Sequence, residues 1–388
     1  MLCSGEAAWS FGVFFKALEG EFGWTRSVVS SGYMALIVGL SISTYWAGKS
    51  ADRREMRPVL LLSAALGGAA MVMCSQVHTP FQLAACLFLA GLGAGATVSV
   101  PPSLVQRWFL GRPHSALALA LVMCGVGTGA LVFAPLLNSV IQNYGWRFGF
   151  VVAGSAFFVL VGSSASVLCA RDPEAPSEKE RVRQSRQRLS EARTDRGTFL
   201  SRDFIAALIV ALTATFAFQT LSVHLVAYAT DKGVSSGASA TALGLIGGLS
   251  IPGRLLAGVL SSRHGYRATV FLAMSGAALS LLWLPFVDSP LRLHIFVAVY
   301  GVCHGIRAVA NLGFLGQVFG VRSLGQLIGT VMATAQLMGA LAPYAAGYIF
   351  DRVGNYDMAF VALALLLGIG GVFALNGTGR AESLVKPG

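Results

Sequence analysis

Arg254, His304 and Arg307 are the residues of this 388-residue chain that most need a physical explanation. Each lies inside an apolar run long enough to cross a bilayer, and so does Glu6. A charge at the centre of such a run costs about 2.5–3.5 kcal/mol to insert and is kept where it pairs, carries an ion or faces water. A guanidinium offers a carboxylate two parallel hydrogen bonds, which makes Arg254 and Arg307 natural anion anchors. Glu6 and His304 titrate when desolvated or paired, which makes them proton carriers. Residues 304 and 307 share a helix face. On this reading Arg254 holds a substrate carboxylate, Glu6 pairs with Arg307 in the empty state, and Glu6 or His304 takes the proton. Each has a plainer alternative: a helix tie for Arg254, a static pair for Arg307, a packed core residue for His304. Ser250, Asn311 and Tyr33 are the polar neighbours expected to orient a small ligand, whereas His224 reads as structural.

The elements that position these residues follow from composition. The chain is 55% hydrophobic and only 12% charged, against about 25% charged in an ordinary soluble domain. Twelve apolar segments recur, over 1–18, 27–47, 58–76, 82–106, 115–141, 146–169, 204–228, 238–261, 268–286, 292–316, 324–349 and 357–376. Strict alternation is absent, so the reading is an all-α membrane protein rather than a β-barrel. The six cysteines lie scattered in apolar segments without metal-ligand or redox spacing. No metal, cofactor or nucleic-acid partner is expected, and no nucleophile–base pair or phosphate loop points to an enzyme. Glycines such as GLGAGA (91–96) sit in a membrane segment and read as close helix packing.

A constant offset of 210 residues pairs Gly23 with Gly233, Gly48 with Gly258, Arg53 with Arg263, Arg57 with Arg267, Gly91 with Gly301, Gly95 with Gly305 and Gly129 with Gly339. Two parallel six-helix repeats follow: 1–170, then a linker over 171–202 with nine Lys/Arg and six Asp/Glu, then 203–388. The repeat places the start of segment 1 about six residues before Met1, so an upstream extension is expected. The net charge of +11 is unevenly shared, with twenty Lys/Arg in the loops on the linker side and six on the other. By the positive-inside rule the linker and C-terminus are cytoplasmic.

The loop GKSADRREMRPV (48–59) resembles the signature loop of the major facilitator superfamily, with Gly48, Asp52, Arg53 and Arg57 as its gating motif. Glu55 stands where that family usually has glycine. VFFKALEGEF (13–22), FAPLLN (133–138), YGWR (144–147), PGRLLAG (252–258) and GNYDMAF (354–360) resemble monocarboxylate transporters, and related oxalate/formate exchangers share much of this. The resemblance implies twelve helices around a central cavity lined by helices 1, 4, 7 and 10 and bordered by helix 8. It implies a multi-pass protein with a monomeric functional unit, and the short loops point to a bacterial-type inner membrane. Its expected work is moving a small organic monocarboxylate, with protons, by alternating access. An anion exchanger of the oxalate/formate kind and a transport-inactive anion sensor are the alternatives. The chain departs from those relatives at Trp9 and Ser250, where they carry a lysine and an acid.

Overall fold

Apolar runs bounded by glycine, proline and charge fold here into helices of membrane length. A computed structural model describes residues 11–51, 56–109, 115–167, 199–319 and 324–375. Among the described residues nine helices are long and apolar enough to cross a membrane, and two of these are far too long for one crossing. A hydrocarbon core about 30 Å thick needs only about 20 helical residues. The helix Ser115–Val167 breaks at Gly145 (φ 83°), and Ser236–Trp283 breaks at Gly265 (φ 77°). Both breaks use a left-handed backbone that only glycine enters without strain. Position 265 is the repeat mate of Glu55, which lies outside the described residues, as do Asp52 and Arg53.

The twelve segments are all present among the described residues. We label them α1 (Phe11–Phe22), α2 (Arg26–Ala51), α3 (Met56–Cys74), α4 (Pro80–Phe109), α5 (115–144), α6 (146–167) and α7 (Arg202–Asp231). The series continues with α8 (236–264), α9 (266–283), α10 (Pro290–Phe319), α11 (324–353, two helices meeting at Ala340) and α12 (Asp357–Leu375). The first segment, read over 1–18, runs on as helix to Phe22 and carries Lys16 within it. Arg26 likewise opens α2. A belt of Leu62, Phe81, Val159, Leu255, Leu279 and Leu365, each 61% to 82% exposed, covers the outside. In water such a surface would aggregate, whereas in lipid it costs nothing. This is a multi-pass membrane protein.

The repeat is visible as packing. A Cβ on Gly95 would fall on the backbone of Thr44 in α2, and one on Gly305 on the backbone of Ser250 and Arg254 in α8. Residues 44 and 254 are themselves 210 apart, so the α2–α4 contact recurs as α8–α10. The two halves meet through α1 and α7, where Gly12 lies on the Ser222 carbonyl, and through α5 and α8, where Gly127 lies on the Gly247 carbonyl. On the membrane face opposite the linker, Gly347 of α11 packs on the backbone of Arg26.

Candidate functional site

Gly253 and Gly305 bring α8 and α10 into backbone contact, with Gly253 resting on the Val302 carbonyl. That contact brings Arg254, His304 and Arg307 together. Arg254 is half-buried and reaches out of its own half, donating to the Met123 carbonyl of α5 at 2.8 Å. That partner is a neutral carbonyl, and among the described residues no carboxylate is bonded to Arg254. His304 stacks on Phe218 of α7 with ring centroids 4.9 Å apart and on Tyr300 at 6.1 Å. Tyr300, Cys303, His304 and Arg307 line one small pocket with Ala214 of α7, Met274 of α9 and Leu367 of α12. The buried Nε of Arg307 has no hydrogen-bond partner among the described residues.

The other expected residues are placed less centrally. Ser250 is buried one turn before Arg254, but its hydroxyl donates to the Gly247 carbonyl of its own helix at 2.6 Å. Asn311, one turn beyond Arg307, donates to the Ala207 carbonyl of α7 at 3.3 Å, and its Oδ1 is left unpartnered among the described residues. Tyr33 is fully buried beside Phe11, with its hydroxyl bonded to Ser222 across the halves. Glu6 lies outside the described residues. In the gating motif Gly48 lies on the last turns of α2 and Arg57 is exposed at the start of α3. The repeat mate of Arg57, Arg267, bonds Asp203 of α7 at 3.0 Å.

A second polar assembly closes the face opposite the linker, and sequence reasoning missed it. Arg26 of α2, 4% exposed, lies between Glu19 of α1 at 2.8 Å and Asp231 of α7 at 2.6 Å. Lys16 bonds the same two carboxylates at 3.2 and 2.7 Å. Asp351 of α11 accepts from the backbone N–H groups of Arg26 and Ser27 at 2.9 and 3.0 Å and from the Ser27 hydroxyl at 2.6 Å. A carboxylate at a helix N-terminus satisfies orphan donors and meets the positive end of the helix dipole. The guanidinium of Arg26 also lies 3.6 Å over the Phe350 ring. Beneath these groups sits His224, fully buried. Its Nε2 is 2.8 Å from the Pro343 carbonyl and 3.2 Å from the Ser30 hydroxyl, and its Nδ1 is 2.7 Å from the Tyr356 hydroxyl. The only signal in the sequence was charge at the segment ends, and the partners are up to 325 residues apart.

Three of the resembling motifs meet on this face. Trp146 and Arg147, just past the glycine break, both donate to Glu21 of VFFKALEGEF. Tyr356, bonded to His224, belongs to GNYDMAF, which begins at the left-handed Gly354 (φ 80°).

The chain matches the family model "Major Facilitator Superfamily" over residues 1–306 and 255–387. It is 26% identical over 314 residues to "Monocarboxylate transporter 12" of Mus musculus, covering 74% of this chain and 63% of that one. The chain thus spans about 63% of the length of that curated relative. It is 27% identical over 358 residues to "Monocarboxylate transporter 11" of Homo sapiens, covering 89% of this chain and 71% of that one. Its fold matches a bacterial homologue of the human lysosomal transporter Spinster, described as inward-facing and occupied, with a TM-score of 0.75. That match is at 14% identity and covers 96% of this chain and 93% of the other. Repeated halves, a closed face opposite the linker and cations at the α8–α10 contact agree with this evidence, and the chain belongs to the major facilitator superfamily, with monocarboxylate-transporter-like sequence.

Proposed function

We propose that this protein moves a small organic monocarboxylate across a bacterial-type inner membrane together with protons, by alternating access. The observation that carries the reading is Arg254, whose guanidinium crosses from one half to the other to donate to a backbone carbonyl. A substrate carboxylate offers the same guanidinium two charge-assisted bonds in place of one neutral one. Binding therefore rewards whichever arrangement of the halves brings both sides around the anion. The similarity to monocarboxylate transporters supports that substrate class. Arg307 and His304 are the companions of Arg254, with Ser250, Asn311 and Tyr33 shaping the walls. Glu6 or His304 takes the proton. Gly48, Asp52, Arg53 and Arg57 form the gate on the linker face, which with the C-terminus is cytoplasmic. The functional unit is one chain.

One observation favours exchange over symport. A second arginine whose buried Nε has no partner among the described residues suits a second carboxylate group or an anion always present.

The test is uptake of labelled pyruvate, lactate and oxalate into liposomes carrying the purified protein, with and without an inward proton gradient, beside Arg254→Ala. Gradient-driven accumulation of a monoanion that the variant loses supports symport with Arg254 in the site. Uptake that ignores the gradient but requires internal anion assigns the protein to the exchangers. Entry of none of the three, with no change in the variant, refutes the carboxylate reading.

A further inference from the structure

The assembly opposite the linker is built for one protonation state of one residue. A carbonyl oxygen only accepts, so the 2.8 Å contact with Pro343 places a hydrogen on Nε2 of His224. The Ser30 hydroxyl donates to the Arg26 carbonyl at 2.7 Å, so toward the histidine its oxygen accepts from the same Nε2–H. Nδ1 is then the acceptor of the neutral ring, and the Tyr356 hydroxyl donates to it. A second proton on the ring would face that hydroxyl with a donor and force it to turn away. It would also set a cation beneath Arg26 in a fully buried place. The groups facing His224 from each packed element are known. They are Phe15 from α1 and Ser30 and Arg26 from α2, and Arg26 in turn carries Glu19 of α1 and Asp231 of α7, which also hold Lys16. From α11 and α12 they are Pro343, Asp351 and Tyr356. The carboxylates among them are already engaged, Glu19 and Asp231 by Lys16 and Arg26, and Asp351 by the start of α2.

The contacts also divide cleanly between the halves. Ser30, Phe15 and Arg26 belong to the first six helices, and His224, Tyr356 and Pro343 to the last six. Asp231 belongs with the latter and holds Lys16 and Arg26 of the former. Parting the halves on this face removes Ser30 and Phe15 from the ring and admits water to it.

We infer that this face is a proton-sensitive latch: the Asp231 cluster holds it shut, and shutting requires His224 to be neutral. Acid on that side holds the mouth open, and loss of the proton lets it close over whatever has entered. The inference rests on the superfamily's two-halved architecture and not on the carboxylate reading.

The test reads the distance across the mouth and needs no substrate. Spin labels go on cysteines placed at Gln142 of α5 and Met358 of α12, both exposed, in full-length protein in liposomes with the six native cysteines replaced. Between about pH 8 and about pH 5, a span that brackets histidine titration, the wild-type background is expected to shift from mostly short to mostly long distances. His224→Gln keeps an acceptor for Tyr356 and a donor for Pro343 but takes no proton, so it is expected to stay short at both pH values. Asp231→Asn is expected to be long at both. Tyr356→Phe removes the hydroxyl that a protonated ring would oppose, so its pH shift is expected to shrink; it also serves if the glutamine variant does not fold. Equal pH shifts in wild type, His224→Gln and Tyr356→Phe would overturn the inference, as would a wild-type distance that ignores pH. Failed carboxylate uptake with an intact pH shift would defeat only the substrate reading.

Discussion

The contact between α2 and α4 and the contact between α8 and α10 are one piece of architecture used twice, with different side chains. In the first half the residues around Gly95 are Leu40, Thr44, Ala94 and Thr97. Their mates 210 residues later, around Gly305, are Ser250, Arg254, His304 and Arg307. The threonines fold back on their own helix: Thr44 donates to the Leu40 carbonyl and Thr97 to the Ala94 carbonyl, both at 2.7 Å. The arginines cannot, and Arg254 reaches across to α5 instead. The comparison teaches that the close glycine contact is scaffold, and that cationic side chains stand on one copy only. The proposed asymmetric binding of an anion is written in that difference.

The largest effect expected from perturbing it is at Arg254. Substitution by alanine is predicted to reduce carboxylate uptake at least about a hundredfold, from loss of a charge-assisted bidentate contact of roughly 3 kcal/mol. Thr44→Ala, at the mated position, should change uptake less than about twofold, since its bond is local. Initial rates in liposomes at matched protein content decide this. Next come the glycines. A methyl at Gly305 or at Gly95 meets neighbouring backbone, so each alanine variant is predicted to lower thermal stability by about 1–3 kcal/mol, as overpacking does. Only Gly305→Ala displaces Arg254, so only it should lose most of its uptake as well. Thermal melts beside transport assays separate the two.

A smaller change is expected at Arg307. Arg307→Met removes a buried polar atom without a partner among the described residues, so it should raise stability by about 1 kcal/mol. Its uptake should fall about tenfold if Arg307 touches substrate and stay level if it does not. The smallest effect is expected at Glu21→Gln, whose pair with Arg147 is about 40% exposed on both sides. Such pairs contribute at most about 1 kcal/mol, so melting and uptake should barely move.

Much of the fold could be read from local pattern. Segment lengths, the 210-residue offset and the basic loops each depend on residues near one another in the chain, and the helices follow them closely. Gly265 shows how far this reached: it falls between the segments read over 238–261 and 268–286, and its left-handed backbone is where two helices part. The site was less accessible. Ser250 and Asn311 were chosen for polarity, but a hydroxyl or amide donor in a helix can be satisfied on its own turn or on a neighbouring helix, as the Ser250 hydroxyl and the Asn311 amide N–H are. The latch failed to register for a different reason. Lys16 and Asp231 are 215 residues apart, and nothing local distinguishes them from other charges at helix ends. His224 was visible as a histidine in an apolar segment and read as structural, because the partners that face it come from α2, α11 and α12 and meet it only in the folded chain.

The contact between α5 and α8 has a mechanical consequence. Gly127, Gly244, Gly247 and Ala130 meet there largely backbone to backbone, with the Leu131 and Ile251 side chains lying flat on glycines and only Arg254 reaching over. Meshed teeth would have to disengage before either half could tilt, whereas two smooth cylinders roll. The seam therefore sets a speed: Gly247→Leu should jam turnover while leaving equilibrium occupancy by the ligand almost unchanged.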